Sequence, residues 1–466
     1  MGLFLSKLGK ETSERVTNFK NKKQNMWIEE LTLDNIKCFE KQTIRLGSSK
    51  TAYPWVTFLG ENGTGKSTVL QTLALLLAGP EGATQLIKPL GWLKQENRPG
   101  KMTTRLHQGT NDPGVYRGEL KERKVFQYTF YITGEERLTI NNKVFTEPVI
   151  TEDTNSKIIP WLRENALLPK GKGWFGAGYG AFRRLTRNNR ILVPSLQQPL
   201  RYTNFYSQFR EEEALEAFET WLVYLDYKIS KSDGKDELAT RQQAWGIEAI
   251  NKLLPEGNRF DSIDSNGRIW FITGNTKVST IALSDGFRSI MAMAGDLVWR
   301  LIEAFPDSSN PLEEEGVVLI DELDIHLHPT WQRNIAGLLR QTFPCLQFIM
   351  ATHSPLVAAS AGEDAVTYRF YREGNQIEVE SIKNIHLMSV DKILKSDAFG
   401  LVSAFSPETQ AKIDRYYSLK RKSKLTDKEK QEIQLTLPFV EGALGYGVAE
   451  SEMEKSMETF IKENWK

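Results

Sequence analysis

Two cysteines and five histidines are all that 466 residues contain of either type. Cys38 and Cys345 lie far apart, which excludes a disulfide framework and fits a reducing compartment. His326 and His328 have no third ligand at a usable spacing, so a zinc site is not expected. No histidines cluster as they do in nucleases, so the chain is not expected to cut nucleic acid unaided. The net charge is only +1, which leaves no global electrostatic argument for nucleic acid; any basic surface must be local. No apolar run approaches bilayer length, and Leu3-Phe4-Leu5 is too short for the core of a signal peptide. Met1-Gly2 with Ser6 matches the outline of a myristoylation signal, a short pattern that chance explains. A cytoplasmic protein without membrane contact is the expectation. Hydrophobic residues at 40% and charged residues at 26% give an ordinary globular balance.

One stretch organises the rest. Gly60-Glu61-Asn62-Gly63-Thr64-Gly65-Lys66-Ser67, followed by Thr68, stands between the apolar run Trp55–Leu59 and a helical run through Leu77. Strand, glycine-rich turn and helix in that order are what a phosphate-binding loop requires. Backbone N–H groups converge on phosphate oxygens, and the helix N-terminus adds its partial positive charge. Lys66 suits the β- and γ-phosphates of ATP, and the Ser67 hydroxyl suits Mg²⁺.

A second set of residues lies far downstream. Val317–Ile320 is a continuous apolar run, as a strand buried on both faces should be. It ends in Asp321-Glu322. A carboxylate at such a strand tip beside the phosphate loop can hold the Mg²⁺ shell, and a second can activate water. Leu323-Asp324-Ile325-His326-Leu327-His328-Pro329 follows, then a helix expected from Thr330 to Thr342. Leu346–Ala351 reads as another buried strand, parallel to the acidic one. It delivers His353 in Thr352-His353-Ser354-Pro355 to the same end. Upstream, Leu283-Ser284-Asp285-Gly286-Phe287-Arg288 opens an apolar helix through Leu301, with Ser284 as an adequate N-cap.

The remaining text predicts a flexible basic arm over 1–25, an antiparallel strand pair from Trp27 to Leu46, and a proline-interrupted loop region from Gly79 to Gly118. Strands resume near Lys124–Ile132, Arg137–Ile140 and Lys143–Phe145. Trp174–Gly180 reads as a buried strand, and Arg183, Arg184, Arg187 and Arg190 follow it. Those four arginines suit contact with nucleic acid or an acidic partner, and a solvated loop explains them equally well. Helices dominate from Glu211 to Leu254, and Arg268–Ile272 with Lys277–Ile281 reads as a hairpin. The tail from Asn384 is helical and charged. Ser406-Pro407 is a helix start and Thr426–Glu429 a capping box. The domain organisation is therefore an arm over 1–25, lobes over 26–200 and 266–383, a helical insertion over 201–265 and a helical region over 384–466.

Taken together, Gly60–Ser67, Leu283–Arg288, Val317–Pro329 and Ala351–Pro355 resemble, in order and character, the motifs of ABC-type ATPases. The ending Asp-Glu-Leu-Asp-Ile-His-Leu-His-Pro looks most like the RecF/SMC-related branch. That branch includes the ATPase part of the OLD proteins and the ATPases of Septu and retron antiphage systems. The fold class implied is α/β, a P-loop NTPase of ABC-ATPase type. It has a mixed sheet, an antiparallel β lobe, a helical insertion and a helical C-terminal region. By resemblance Glu322 is the catalytic base, Asp324 the D-loop acid and His353 the switch histidine. Ser284, Asp285 and Gly286 form the signature that contacts ATP in trans; Ser67 and Asp321 hold Mg²⁺. Asp285 and Phe287 depart from the transporter signature, which argues against the transporter branch. The Q-loop glutamine has two candidate places, Gln127 and the Tyr179–Arg184 segment. The resemblance implies a homodimer with ATP sandwiched between subunits, and higher homo-oligomers are compatible with it. The function expected is that of a sensor or regulatory ATPase in antiphage defence, paired with a separate effector, a nuclease. The alternative is a RecF-like DNA-repair or DNA-binding ATPase, and a scaffolding ATPase that barely hydrolyses ATP stands third.

Overall fold

The computed structural model describes residues 26–109, 125–140, 143–168, 173–181, 200–210, 217–396, 399, 403 and 405–444. The arm over 1–25 and all four arginines, Arg183, Arg184, Arg187 and Arg190, lie outside them. The chain divides into two compact units, Met1–Val390 and Asp391–Lys466.

The first unit is built on two large sheets. One is antiparallel, in the order β2-β1-β4-β5-β6. Its strands are β1 (Trp27–Ile36), β2 (Phe39–Arg45), β4 (Gly100–His107), β5 (Val125–Ile140) and β6 (Lys143–Glu152). The other is mixed, in the order β14-β13-β3-β12-β11-β7. Here β3 (Trp55–Gly60), β7 (Gly176–Tyr179), β11 (Gly316–Ile320), β12 (Leu346–Ala351) and β13 (Val366–Glu373) run parallel, and β14 (Gln376–Ile382) pairs antiparallel with β13. A small antiparallel sheet joins β8 (Asn258–Ile263), β9 (Ile269–Thr273) and β10 (Thr276–Ser279). This is the expected α/β fold with a mixed sheet and an antiparallel lobe.

Why these runs are strands follows from burial. All residues of β11 and β12 are buried, so β11 reads as an unbroken apolar run and β12 is interrupted only by Gln347, whose amide accepts from Ile28 N–H and donates to Leu46 O. In β1 and β4 burial alternates, because one face of the antiparallel lobe meets the core and the other meets water.

The region from Gly79 to Gly118, expected to be loop, is partly regular. The helix that starts at Lys66 runs to Leu86 across a kink at Gly79-Pro80, where Gly79 has φ 82°. Pro80 lacks the N–H that would continue the ladder, so the helix bends there and resumes. Further on, Met102, Thr104 and Leu106 alternate with exposed Lys101 and Arg105, and β4 forms. The prolines hid that period of two. The hairpin β13–β14 and strand β8 were also not read from the sequence. The helix expected over Thr330–Thr342 is divided into Pro329–Gln332 and Ile335–Thr342.

The insertion supplies helices Ala217–Lys231 and Glu237–Leu253, which pack on the long helix Asp285–Ala304. Phe218, Trp221, Leu222 and Leu225 are buried there, the apolar face visible in the sequence. In the second unit, Ser406 caps the helix Pro407–Lys420, and its hydroxyl accepts from Thr409 N–H. The next helix, Asp427–Leu444, opens on a capping box. The Glu429 carboxylate accepts from Thr426 N–H at 2.9 Å, and Glu429 N–H donates to the Thr426 hydroxyl at 3.4 Å.

Candidate functional site

Five parallel strands end on one side of the mixed sheet. β3 lies between β13 and β12, and β11 lies beyond β12. The acidic strand is therefore one place removed from the phosphate-loop strand, not directly beside it. The strand between them is the one that ends in His353. Register holds the tips level: Phe58 pairs with Ala351, and Met350 with Ile320. Thr352 N–H donates to Phe58 O at 3.1 Å, and Leu323 N–H to Ala351 O at 3.3 Å.

The loop after β3 has the conformation its glycines permit. Gly65 sits at φ 91°, in the left-handed region that favours glycine. A methyl group there would lie 2.6 Å from both the Cys38 sulfur and Phe39 Cζ. The tight β1–β2 turn is thus packed against the loop, and position 65 has no room for a side chain. Lys66 starts the following helix and is nearly buried; its Nζ donates to Gly60 O and Glu61 O, each at 2.8 Å. Burial lowers its pKa, and Asp321, then Glu322, Asp324 and Glu61, oppose that shift. Three carboxylates after β11 thus share the field of the loop lysine. Thr64 closes the loop by donating to Glu61 O at 2.8 Å.

The turn after β11 is held in an unusual shape. Glu322 has φ 48° and His326 φ 65°, both left-handed without being glycine. Such residues cost roughly 1–2 kcal/mol each. Backbone bonds within the turn hold them: Ile325 N–H to Glu322 O at 3.2 Å, and Leu327 N–H to Asp324 O at 3.1 Å. Asp324 accepts from the Thr352 hydroxyl and, at 3.2 Å, from His353 N–H. Gln332 secures the far side, with its amide donating to Leu327 O at 2.9 Å and its oxygen accepting from Ser354 Oγ at 2.7 Å. His353 is half-buried, and burial, then the nearby Lys66 cation, hold its pKa below the ordinary histidine value.

The Ser284 segment faces elsewhere. Ser284 caps the helix Asp285–Ala304 and accepts from Phe287 N–H. Gly286 lies against the turn just described: a methyl there would sit 2.4 Å from His326 O. Ser284, Asp285 and Gly286 line a groove of about 1560 Å³ with His326, Leu327 and His328. Residues 321–328 therefore divide between two surfaces, with Asp324 tied to the strand tips and His326–His328 facing the groove.

Of the two places considered for the Q-loop glutamine, Gln127 lies in mid-strand on β5, paired with Arg105 and exposed. The second segment begins at the end of β7, where Asp321 N–H donates to Tyr179 O at 2.8 Å. Gln208 was not singled out from the sequence. Its side chain is buried against Gly178 of β7, and among the described residues neither atom of its amide has a hydrogen-bond partner. Its carbonyl accepts from Gln71 Nε2, on the helix after the phosphate loop, at 3.0 Å. Nothing in its sequence neighbourhood marks it, since only the fold brings residues 71, 178 and 208 together.

The residues fit a nucleoside triphosphate with Mg²⁺: a glycine loop at a helix N-terminus, a buried lysine, and carboxylates in its field. The chain is similar to several known proteins. Septu protein PtuA of Bacillus mycoides is 26% identical over 417 residues, 88% of this chain and 49% of its own length. The Retron Vc95 probable ATPase of Vibrio cholerae is 32% identical over 165 residues, 30% of this chain and 32% of its own. The chain thus spans about half or less of the length of these relatives. An SMC head bound to the C-terminal winged-helix domain of ScpA superposes with a TM-score of 0.45 at 16% identity, over 78% of this chain and all of that one. That superposition is too loose to carry weight. The profile of the family described as "AAA domain, putative AbiEii toxin, Type IV TA system" matches residues 56–359, well over half of the chain, and the protein belongs to that family.

Proposed function

We propose that the chain binds and hydrolyses ATP with Mg²⁺. The observation that carries this reading is the level register of the strand tips, which puts the turn bearing Asp321, Glu322 and Asp324 at the same end of the sheet as the glycine loop and its lysine. Gly60, Glu61, Asn62, Gly63, Thr64, Gly65, Lys66, Ser67 and Thr68 cradle the phosphates. Ser67 and Asp321 hold Mg²⁺, whose charge supports phosphoryl transfer. Glu322 accepts a proton from the attacking water. Asp324 fixes the backbone of His353, and the neutral imidazole is then free to meet the γ-phosphate. Ser284, Asp285 and Gly286 line a different surface and serve the ATP of a facing subunit. The active species is a twofold dimer with two sandwiched nucleotides.

The relatives support a role in antiphage defence, as the sensor or regulatory subunit of a system whose effector, a nuclease, is a separate protein. Arg183, Arg184, Arg187 and Arg190 remain the proposed contact with nucleic acid or that partner. Phosphate release from ATP by the purified protein, dependent on Mg²⁺ and abolished by Lys66→Ala, tests the catalytic reading. Phage plating on cells carrying the gene with its neighbours tests the biological one. Protection lost with Lys66→Ala supports it, and equal plating with and without the intact genes contradicts it.

A further inference from the structure

The long helix Asp285–Ala304 begins at the groove and ends in a buried polar cluster. Eleven residues separate its first position from Asp296, three turns or about 16 Å at 1.5 Å per residue. Asp296 is 1% exposed, and its Oδ2 accepts two bonds: from the Tyr179 hydroxyl at 2.9 Å and from Arg300 Nε at 2.6 Å. Arg300 also donates to Asn204 Oδ1 at 2.6 Å, and Asn204 Nδ2 donates to Gly176 O at 3.0 Å. Both ends of the short strand β7 are thereby fastened to one helix. β7 is in turn fastened to the acidic strand: Tyr179 pairs with Ile320, and Tyr179 O receives Asp321 N–H at 2.8 Å.

Stability does not explain the cluster well. Among the described residues, Asp296 Oδ1 has no hydrogen-bond partner. A buried ion pair with an unsatisfied oxygen is often no more stable than apolar residues of the same volume. Burial, then the Asp296 carboxylate, push the Tyr179 phenol well above its ordinary pKa, so it stays a donor at any physiological pH. What the cluster does provide is a rigid connection. A shift of the helix along its axis must move Asp296, with it Tyr179, and with Tyr179 the backbone amide of Asp321.

We propose that Tyr179, Asp296 and Arg300 are positioning residues that couple the two halves of the proposed site. When Ser284 and Gly286 seat on the nucleotide of a facing subunit, the helix carries that event to the Asp321 of its own subunit. Each subunit then hydrolyses fast only once it has gripped its neighbour's ATP. This rests on the roles proposed above for Ser284, Gly286 and Asp321. It adds a residue chain between them.

Tyr179→Phe keeps the ring and removes one donor, and Asp296→Leu removes the acceptor from the helix side. Tyr179→Phe is expected to leave the melting temperature and ATP affinity near wild type and to lower kcat at least tenfold. The Asp296 variant strands the buried Arg300 charge and lowers the melting temperature as well, so its readout is the same fall in kcat at unchanged ATP affinity. A merely structural role would move affinity and melting temperature together. The decisive measurement uses mixed dimers of Ser284→Arg and Lys66→Ala subunits, in which the one working site has its Asp321 on the Ser284→Arg chain. That chain cannot seat its own helix, so adding Tyr179→Phe to it should cost no further activity. A further tenfold loss there would show that Tyr179 merely shapes its own strand tip, and would overturn the coupling. A wild-type protein without ATPase activity would instead sink the reading of the site itself.

Discussion

The strand-tip surface and the groove surface share one turn and differ in almost everything else. On the first, Lys66 is nearly buried, Asp324 is bonded to two neighbours, and the carboxylates lie within the field of the lysine. It resembles the inside of an enzyme. On the second, Asp285 and His326 are exposed, and the polar groups at the start of the helix look out over an open groove. The first is a cradle that already has its walls. The second opens onto a groove lined by His326, Leu327 and His328. That asymmetry is what a pair of half-sites should look like before they meet.

The comparison can be broken at several points. The largest effect is expected at Glu322. Glu322→Gln should keep ATP binding and lower turnover by about 10²–10⁴, the contribution of a positioned base. Unchanged steady-state phosphate release would remove Glu322 from that role. Lys66→Ala acts on the same surface but earlier, on binding. Titration with a fluorescent ATP analogue should show affinity falling at least tenfold, and an undiminished affinity would contradict the phosphate-loop reading.

A smaller effect is expected on the groove side. Gly286→Ala places a methyl 2.4 Å from His326 O, so the helix start or the turn must give way. Overpacking of this kind costs roughly 1–3 kcal/mol. ATP affinity should hold while turnover drops, and calorimetry with kinetics would show the two separating. An equal fall in both would mean that the surfaces are not distinct.

The smallest effect concerns His353. Its folded pKa lies below the ordinary value, so in the window below about 6.5 the unfolded chain binds its proton first. Stability should therefore rise with pH through that window and be lost as pH falls. His353→Gln should flatten part of that slope in melting curves of the nucleotide-free protein. An unaltered slope would show that the imidazole is not held neutral by its surroundings.

The sequence made the cradle legible because its parts are local. Gly60–Ser67 carries its own strand and helix, and Asp321-Glu322 ends a run whose four apolar residues announce burial. The mixed sheet and the antiparallel lobe came instead from the resemblance to a known family, because their strands pair across distant stretches of the chain. The hidden features depend on contacts between distant residues. β4 is obscured by flanking prolines, and β13–β14 sits beyond the last motif. Gln208 gains meaning only beside Gly178 and Gln71, and the tie from Tyr179 to Asp296 spans 117 positions. Spacing could separate the signature from the phosphate loop but could not say that residues 321–328 serve both surfaces. The left-handed Glu322 and His326 that make this possible leave no trace in composition.

Mixing two inactive variants tests the central claim most directly. Ser284→Arg retains a cradle and lacks a working groove surface; Lys66→Ala retains that surface and lacks a cradle. Titrating one against the other, with heterodimer formation followed by differently tagged chains, should produce ATPase activity that peaks near equal proportions. That activity should stay well below wild type, because the single restored site depends on a subunit whose own helix is unseated. Activity rising above either parent is the predicted result. No activity at any ratio despite heterodimers, or full activity from Ser284→Arg alone, would contradict a site shared between subunits.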